Sequence, residues 1–238
     1  MGNQTNEKVI SIGNEKGGTA KTTTSFITAG VLSQRGYKVL LIDFDPSATQ
    51  TMLMGLDANS YKGENIHNIA NIFEYKQIQP ININENLFFI PSNDELTNKS
   101  HNPTIPGKDL ILKKFVKSVR EEYDYIIIDG PPNDIVLINN LAMAADILVI
   151  PVATSTLEEK KTPDFLEKIN RVYQAYETAP RKICFAPVRY RANQKTDNAV
   201  LDVLNTDAVT FTKSLGSLVD VNIYTLNPLP ERTAIANS

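Results

Sequence analysis

Short runs that are apolar through their whole length recur along this chain, and they constrain its fold more than any other feature. They have the length of β-strands and occupy residues 9–12, 39–42, 87–90, 125–128, 147–152, 183–185 and 221–226. Strands of this kind are covered on both faces, as in a mainly parallel sheet. Because helix-like segments fall between most of them, we expect an α/β fold with helices on both faces of a doubly wound sheet.

The segments between these runs carry helical patterns. Residues 22–34 predict one helix, and residues 165–175 predict another. Between positions 107 and 122 an apolar stripe lies opposite a charged one, as on an amphipathic helix. The polar stretch 93–106 is expected to be a loop with a short helical turn.

Length and composition limit the class of protein. We expect one domain over residues 1–238. The net charge of −3, from 24 basic and 27 acidic residues, is unlike that of a strongly basic DNA coat protein. Contact with nucleic acid therefore needs a local patch, or a patch doubled by dimerisation.

The same composition predicts a cytosolic protein. The single cysteine, Cys184, lies in an apolar run and suits a reducing compartment. No apolar stretch reaches membrane-spanning length, and the polar N-terminus does not resemble a signal peptide. We therefore expect no membrane partner.

A loop with two lysines separates the first predicted strand from the first predicted helix. It reads Glu15-Lys16-Gly17-Gly18-Thr19-Ala20-Lys21-Thr22. Strand, glycine-containing loop and helix start form the geometry in which backbone N–H groups and the helix dipole surround a polyphosphate. Lys21 is placed to reach the β- and γ-phosphates, and Thr22 to offer its hydroxyl to Mg²⁺. Gly17 and Gly18 let the backbone approach phosphate closely.

The loop departs from the strict G-x-x-x-x-G-K-[ST] pattern at two positions. Glu15 and Ala20 stand where that pattern has glycine. A glycine-bearing turn that happens to precede a helix is therefore the alternative interpretation. Lys16 leaves the loop before it curls round the phosphates, so its side chain is expected to project towards a second subunit.

Aspartates follow two of the predicted strands directly. Asp43 and Asp45 come after the run 39–42, and Asp129 comes after the run 125–128. At the carboxyl ends of parallel strands such carboxylates can hold metal-bound water or orient an attacking water. Either segment alone is equally compatible with a turn that ends a strand. Their combination with the loop favours the functional interpretation.

These residues resemble the deviant Walker-A family of P-loop ATPases, the ParA/MinD group, and specifically its ParA branch. Residues 15–22 meet the family pattern x-K-G-G-x-x-K-[ST] in full. Residues 43–48 are similar to its Asp-x-Asp-Pro-Gln-Gly segment, residues 125–132 to its Walker-B stretch, and residues 139–151 to the stretch that follows. The resemblance runs from about residue 8 to the C-terminus and is weakest over 55–105.

The resemblance implies a P-loop NTPase fold and a role for each matching residue. Lys16 would cross a dimer interface to the partner's nucleotide and, with Asp45, act in catalysis; Asp45 would position or polarise the hydrolytic water. Magnesium would be held through Thr22, Asp43 and Asp129. The nucleotide would contact Lys16, Gly17, Gly18, Thr19, Ala20, Lys21, Thr22 and Thr23, with Pro187 and Pro230 in the segments that border the adenine.

The resemblance also implies a function. The chain would be an Mg²⁺-dependent ATPase, slow unless stimulated, whose ATP-bound homodimer binds DNA without sequence preference. A ParB-like partner would stimulate hydrolysis, so that plasmid or chromosome DNA is segregated on the nucleoid. Five basic residues in a short stretch are the candidate DNA contact: Arg181, Lys182, Arg189, Arg191 and Lys195. An ordinary solvated surface is an equally good interpretation of this cluster.

Three departures from the family and three alternatives stay open. Ala20 and Ser47-Ala48 replace the family's usual glycine and Gln-Gly, and the chain stops at Ser238, where relatives usually continue with a helical segment. The alternatives are a ParA-like ATPase that positions another cargo such as a protein microcompartment, a MinD-like membrane-surface ATPase, and a metabolic ligase or synthetase on the same fold. A MinD-like protein needs a basic amphipathic C-terminal helix, which the polar ending does not supply.

Overall fold

The computed structural model describes residues 7–153, 161–189 and 221–228, together with positions 202, 204 and 206. The described strands are β1 Val9–Ile12, β2 Val39–Asp43, β3 Ile81–Asn84, β4 Leu87–Ile90, β5 Tyr125–Asp129, β6 Ile147–Ala153, β7 Lys182–Val188 and β8 Asn222–Thr225. The described α-helices are α1 Lys21–Gln34, α2 Thr49–Leu53, α3 Glu95–Ser100, α4 Ile111–Val119, α5 Ile135–Ala144 and α6 Lys161–Tyr176. Short 3₁₀ segments span Ala58–Tyr61, Ile69–Glu74, Lys108–Leu110 and Arg120–Glu122.

The eight strands form one sheet in the order β3-β4-β2-β5-β1-β6-β7-β8. Every neighbouring pair is parallel except β3 and β4. The α/β fold with a mainly parallel sheet is therefore confirmed. β3 was not predicted, because this strand alternates isoleucine and asparagine at an exposed edge of the sheet and has no continuous apolar run.

β1 lies at the centre of the sheet, between β5 and β6. The chain thus leaves β1 at a point where neighbouring connections diverge to either side. In doubly wound sheets ligands bind at such a point, beyond the carboxyl ends of the strands. The loop after β1 and the segments after β2 and β5 all reach this edge.

Helix α1 contacts the sheet through small side chains. Its buried residues after Lys21 are Ser25, Ala29 and Ser33, which recur every four positions and so form one face. This face packs beside a buried cluster that includes Ile12, Leu41, Phe89 and Ile127. Small residues let α1 lie close to the sheet and keep the start of the helix beside the strand ends.

Separate apolar clusters cover the rest of the sheet. One joins β2 and β5 to α4 and α5 through residues such as Ile42, Ile128, Val116 and Leu137. Another joins β6 and β7 to α6. None of the helices in the described part of the chain is both long enough and apolar enough to cross a bilayer.

Candidate nucleotide-binding site

The loop after β1 is anchored to β6 through its first residues. The backbone N–H of Gly13 donates to the Val149 carbonyl at 3.0 Å. The Asn14 side-chain amide donates to the Pro151 carbonyl at 2.7 Å and accepts from the Lys16 N–H at 3.1 Å. These bonds hold the loop entrance on the central strands, so the residues that follow curl over the edge of the sheet.

Lys21 points back into this loop. Its ammonium donates to the Lys16 carbonyl at 2.9 Å, and the Thr19 hydroxyl donates to the same oxygen at 3.1 Å. Burial lowers the pKa of Lys21, while the carboxylates of Asp129 and Asp45 act in the opposite direction. The cation therefore lies between the loop and the acidic strand ends, where an anion entering the loop would meet it.

The middle of the loop is open. Gly17 and Gly18 are exposed, and a Cβ added to either would meet no atom within 4 Å. Gly18 has a φ of +76°, a conformation that L side chains rarely adopt. Thr22 and Thr23 follow on the first turn of α1, with Thr22 half-buried and Thr23 exposed. Residues 16 to 23 thus form one continuous segment from the loop into the first turn of α1.

Two alanines near the site have left-handed backbones. Ala20 ends the loop at φ 59°, ψ 26°, and Ala48 precedes α2 at φ 54°, ψ 30°. These are the two positions where the sequence has alanine and the family usually has glycine. A left-handed conformation costs a non-glycine residue roughly 1–2 kcal/mol. The backbone at Ala20 and Ala48 is therefore strained.

We therefore expect Ala20→Gly and Ala48→Gly each to raise the free energy of unfolding, by about 1 kcal/mol. Chemical denaturation of the nucleotide-free protein measures the change. Ala175→Gly in α6, where the backbone is helical, is the matched control and is expected to lower stability by about 1 kcal/mol. Destabilisation by all three glycines alike would contradict the strain at Ala20 and Ala48.

Two carboxylates meet at the ends of adjacent strands. Asp43 of β2 and Asp129 of β5 are register partners, and both are completely buried. Burial raises the pKa of Asp43 to about 8, and the nearby Asp129 carboxylate raises it further. The hydrogen bonds from Thr51 and Asp45 act in the opposite direction and lower the pKa. Burial also raises the pKa of Asp129 to about 7, while the hydroxyls of Thr22 and Ser25 lower it.

The two carboxylates differ in their partners. Neither oxygen of Asp129 has a hydrogen-bond partner within the described residues, so the Thr22 and Ser25 hydroxyls lie near it without hydrogen-bond geometry. Both oxygens of Asp43 accept hydrogen bonds. Asp45 is also buried, with 9% of its surface exposed, and its carboxylate accepts from the Ser47 N–H at 2.8 Å.

The arrangement suits magnesium rather than a metal held wholly by protein. The described residues contain no group of three or more His, Cys, Asp or Glu side chains arranged to hold a metal ion. Mg²⁺ usually keeps several waters and takes one or two protein oxygens together with phosphate oxygens. The partnerless Asp129 carboxylate beside the Thr22 hydroxyl supplies that kind of donor set.

The raised pKa values predict a pH-dependent stability. Unfolded aspartates lose their protons near pH 4, whereas Asp129 and Asp43 keep theirs in the folded state until about pH 7 and 8. The folded state binds more protons in this window, so the stability from these groups is full below about pH 4 and is lost as the pH rises to 8. Each of the two protons contributes about 1.4 kcal/mol per pH unit, so without nucleotide and metal the free energy of unfolding should fall by roughly 6 kcal/mol between pH 5 and pH 8.

Denaturant titrations at several pH values measure this decline. Asp129→Asn is expected to flatten the profile and to be more stable than the unmodified protein at pH 8. Asp57→Asn, which alters an exposed aspartate, is the control and should leave the shape of the profile unchanged. A profile for Asp129→Asn as steep as that of the unmodified protein would contradict the assignment.

The other predicted site residues are scattered. Pro187 is buried near the end of β7, opposite Val152, at the same edge as the loop. Pro230, Arg191 and Lys195 lie outside the described residues. Arg181 and Lys182 lie at the start of β7 and exposed Arg189 follows its end, so the strand separates them. Lys182 also forms an ion pair with Glu7.

Several contacts at the site had no signal in the sequence. Lys168 of α6 forms an ion pair with Glu15 at the loop entrance. Gln50 is completely buried in α2 and lies 3.2 Å from the Ser25 hydroxyl of α1. Thr51 and Ser92 join the network around Asp43. Only knowledge of which segments meet at this edge could have indicated them.

Residues 7–181 match the family model described as AAA domain (AAA_31). The chain belongs to this family. Over 151 residues it is 35% identical to the sporulation initiation inhibitor protein Soj of Bacillus subtilis, covering 61% of this chain and 58% of that protein. Over 150 residues it is 35% identical to the maintenance of carboxysome distribution protein A of Gloeothece citriformis, covering 63% and 58%. The chain thus spans about three fifths of the length of these curated relatives.

Solved structures with a similar fold agree. A putative plasmid partition protein from Borrelia burgdorferi, bound to AMPPNP, is 28% identical with a TM-score of 0.71 and covers 98% of this chain and 90% of its own. Cobyrinic acid a,c-diamide synthase from Mycobacterium smegmatis, with a bound ATP analog and magnesium, shares the fold at 23% identity and a TM-score of 0.75, over 95% and 88%. The ParA/MinD-type P-loop ATPase expected from the loop is therefore confirmed.

Proposed function

We propose that this chain is a ParA-type ATPase that binds MgATP, dimerises with it and uses its hydrolysis to position a cargo, with DNA as the first candidate. The observation that carries the proposal is the pairing of two lysines on one loop with a buried carboxylate that has no hydrogen-bond partner among the described residues. Lys21 occupies the loop 2.9 Å from the Lys16 carbonyl, and Asp129 stands beside Thr22. A polyphosphate and its metal ion satisfy both groups.

We assign each of these residues a role that its position supports. Lys21 and the loop N–H groups would bind phosphate oxygens, and Thr22 with Asp129 would hold the magnesium shell. Bound MgATP supplies the phosphoanhydride bond and the metal charge. Asp45, at the start of the segment after β2, orients the attacking water. Burial of Asp45 and Asp129 keeps bulk water away from these groups.

Lys16 completes the site in trans. It stands at the loop entrance, and its own backbone carbonyl already receives the Lys21 ammonium. A second lysine brings another positive charge to a nucleotide that carries several negative ones. The dimer is therefore expected to form with ATP and to loosen after hydrolysis, as γ-phosphate switches do.

DNA binding and a ParB-like activator are the finer part of the proposal. They are supported by the 35% identity to the Soj protein and by the likeness to the plasmid partition protein. The net charge of −3 requires local basic surface, doubled in the dimer. Nucleoid association follows from that binding.

A second candidate cargo is a protein assembly. The identity to the carboxysome distribution protein equals that to the Soj protein, so it supports positioning of a protein microcompartment as well. A genomic neighbour encoding a small DNA-binding protein would favour DNA segregation. Hydrolysis that depends on a small substrate would favour a synthetase instead.

Sedimentation velocity with MgATP and with MgADP tests the proposal. We expect a dimer with MgATP and a monomer with MgADP. Filter binding to non-specific duplex DNA should then require MgATP and weaken as salt is raised, because phosphate contacts release counterions. A monomer under both conditions would contradict the dimer, and salt-independent retention would contradict phosphate contact. Flotation with liposomes in place of DNA would identify a membrane-surface ATPase.

A further inference from the structure

The carboxylate of Asp43 is engaged by the segment that carries Asp45. Its Oδ1 accepts from the Asp45 N–H at 3.1 Å. Its Oδ2 accepts from the Thr51 N–H at 2.8 Å and from the Thr51 hydroxyl at 2.7 Å. Asp43 is completely buried, so these bonds replace its contacts with water. One side chain therefore joins the end of β2 to the following turn and to α2.

The Thr51 hydroxyl extends this connection to another strand. While it donates to Asp43, it accepts from the Ser92 N–H at 3.0 Å. Ser92 lies two residues beyond the end of β4, and Thr51 and Ser92 are both completely buried. A hydroxyl can donate one hydrogen bond and accept others, so the Thr51 hydroxyl is used in both directions. The relay runs from Asp45 through Asp43 and Thr51 to Ser92.

The neighbouring carboxylate provides the contrast. Asp129 is the register partner of Asp43 and equally buried, yet its oxygens have no hydrogen-bond partner among the described residues. Asp129 is therefore available to a metal shell. Three of the roughly four lone-pair sites of the Asp43 carboxylate are already occupied, so a metal ion could bind it directly only through the site left on Oδ1.

The hydrogen bonds of Asp43 help to fix the turn between Asp45 and α2. It passes through the left-handed residue Ala48, and α2 is only five residues long. Met52 and Leu53 of α2 are exposed, so the packing of this helix relies on its inner residues Gln50 and Thr51. Besides the link to Asp43, the segment is held by the hydrogen bond from Ser25 to Gln50 and by that from the Phe44 N–H to the Asp129 carbonyl, neither of which involves the side chain of Asp45.

We propose that Asp43 is a positioning residue, which holds Asp45 in its working place through the relay to Thr51 and Ser92, and not a direct magnesium ligand. The inference rests on the proposed ATP hydrolysis. Small displacements of an orienting group have large effects on rate, since a shift of about 1 Å can cost about 100-fold. Loss of the relay should therefore reduce the turnover number and leave MgATP binding in place.

Thr51→Val tests this inference, because valine keeps the shape of threonine and removes the hydroxyl. We expect its turnover number to fall by about 10- to 100-fold. The dissociation constant for a fluorescent ATP analogue and the Mg²⁺ concentration at half-maximal hydrolysis should stay unchanged. Thr51→Ser, which restores the hydroxyl, should recover most of the rate. Asp43→Asn combined with Thr51→Val should be no slower than the slower single variant, as expected for one shared pathway.

Thr49→Val is the matched control, because Thr49 is exposed on the same helix and its hydroxyl contacts only that of Ser47 within the described residues. Hydrogen exchange over residues 43–53 adds a readout that does not depend on turnover. Exchange should quicken in Thr51→Val and not in Thr51→Ser.

Results that would contradict the inference differ from those that would contradict the proposed function. A raised Mg²⁺ requirement in Asp43→Asn with normal turnover in Thr51→Val would make Asp43 a metal ligand and overturn the inference. Unchanged exchange and turnover in Thr51→Val would also overturn it. Absence of ATP binding and hydrolysis in the unmodified protein would instead contradict the proposed function.

Discussion

Lys16→Ala is expected to bind MgATP as a monomer and to lose ATP-dependent dimerisation. The backbone carbonyl of Lys16, which receives the Thr19 hydroxyl and the Lys21 ammonium, is kept in this variant. The loop should therefore retain its fold and its own phosphate contacts. What is lost is the cation offered to the partner's nucleotide. Removal of one member of a buried charge pair typically costs about 2–5 kcal/mol, so dimer affinity should fall by about 30-fold or more.

Sedimentation velocity with MgATP, beside calorimetry for MgATP binding, measures the two properties separately. Lys117→Ala is the control, because this exposed lysine lies towards the end of α4 that leads to the start of β5, away from the loop edge. It should dimerise normally. A Lys16→Ala protein that still dimerises with MgATP would remove the basis for the proposed nucleotide-dependent switch.

Asp45→Ala is expected to bind MgATP and dimerise, and to hydrolyse ATP at least about 100-fold more slowly. The backbone N–H of Asp45 would still donate to Asp43, so the turn should remain in place. The variant loses the carboxylate that orients water and the hydrogen bond that it accepts from Ser47. Because hydrolysis is the step that releases the dimer in the proposed function, this variant should accumulate as the ATP-bound dimer.

Single-turnover hydrolysis and sedimentation after prolonged incubation with MgATP measure these outcomes. Asp57→Ala, which changes an exposed aspartate at the start of a 3₁₀ segment, should behave like the unmodified protein. Normal hydrolysis in Asp45→Ala would assign the water-orienting role to another residue. Loss of MgATP binding would instead place Asp45 among the nucleotide contacts.

Much of the fold followed from local patterns. The run 9–12 is β1, and the run 39–42 is β2 with Asp43 added. The helix expected over 22–34 begins one residue earlier, at Lys21. Buried parallel strands can be predicted because they are continuous apolar runs. β3 has no such run, because an exposed edge strand needs no apolar residues on its outer face.

Clusters of basic residues in the sequence predicted the surface of the protein less well than apolar runs predicted its strands. The short stretch that contains Arg181, Lys182 and Arg189 is dense in sequence, but an extended strand carries its ends far apart. In the structure Lys182 pairs with Glu7, which is distant in sequence. Proximity along the chain therefore did not translate into one basic patch among the described residues.

The sequence by itself determined the phosphate loop, since a strand end, two glycines, two lysines and a helix start lie within about a dozen consecutive residues and interact locally. Tertiary structure decided the state of the acidic groups. The oxygens of Asp43 meet Thr51 eight residues away, and Thr51 meets Ser92 across 41 residues. β5 places Asp129 beside β2 and α1, where its oxygens have no hydrogen-bond partner among the described residues. Hydrogen-bond partners of buried groups depend on which segments the sheet brings together, and a linear motif does not contain that information.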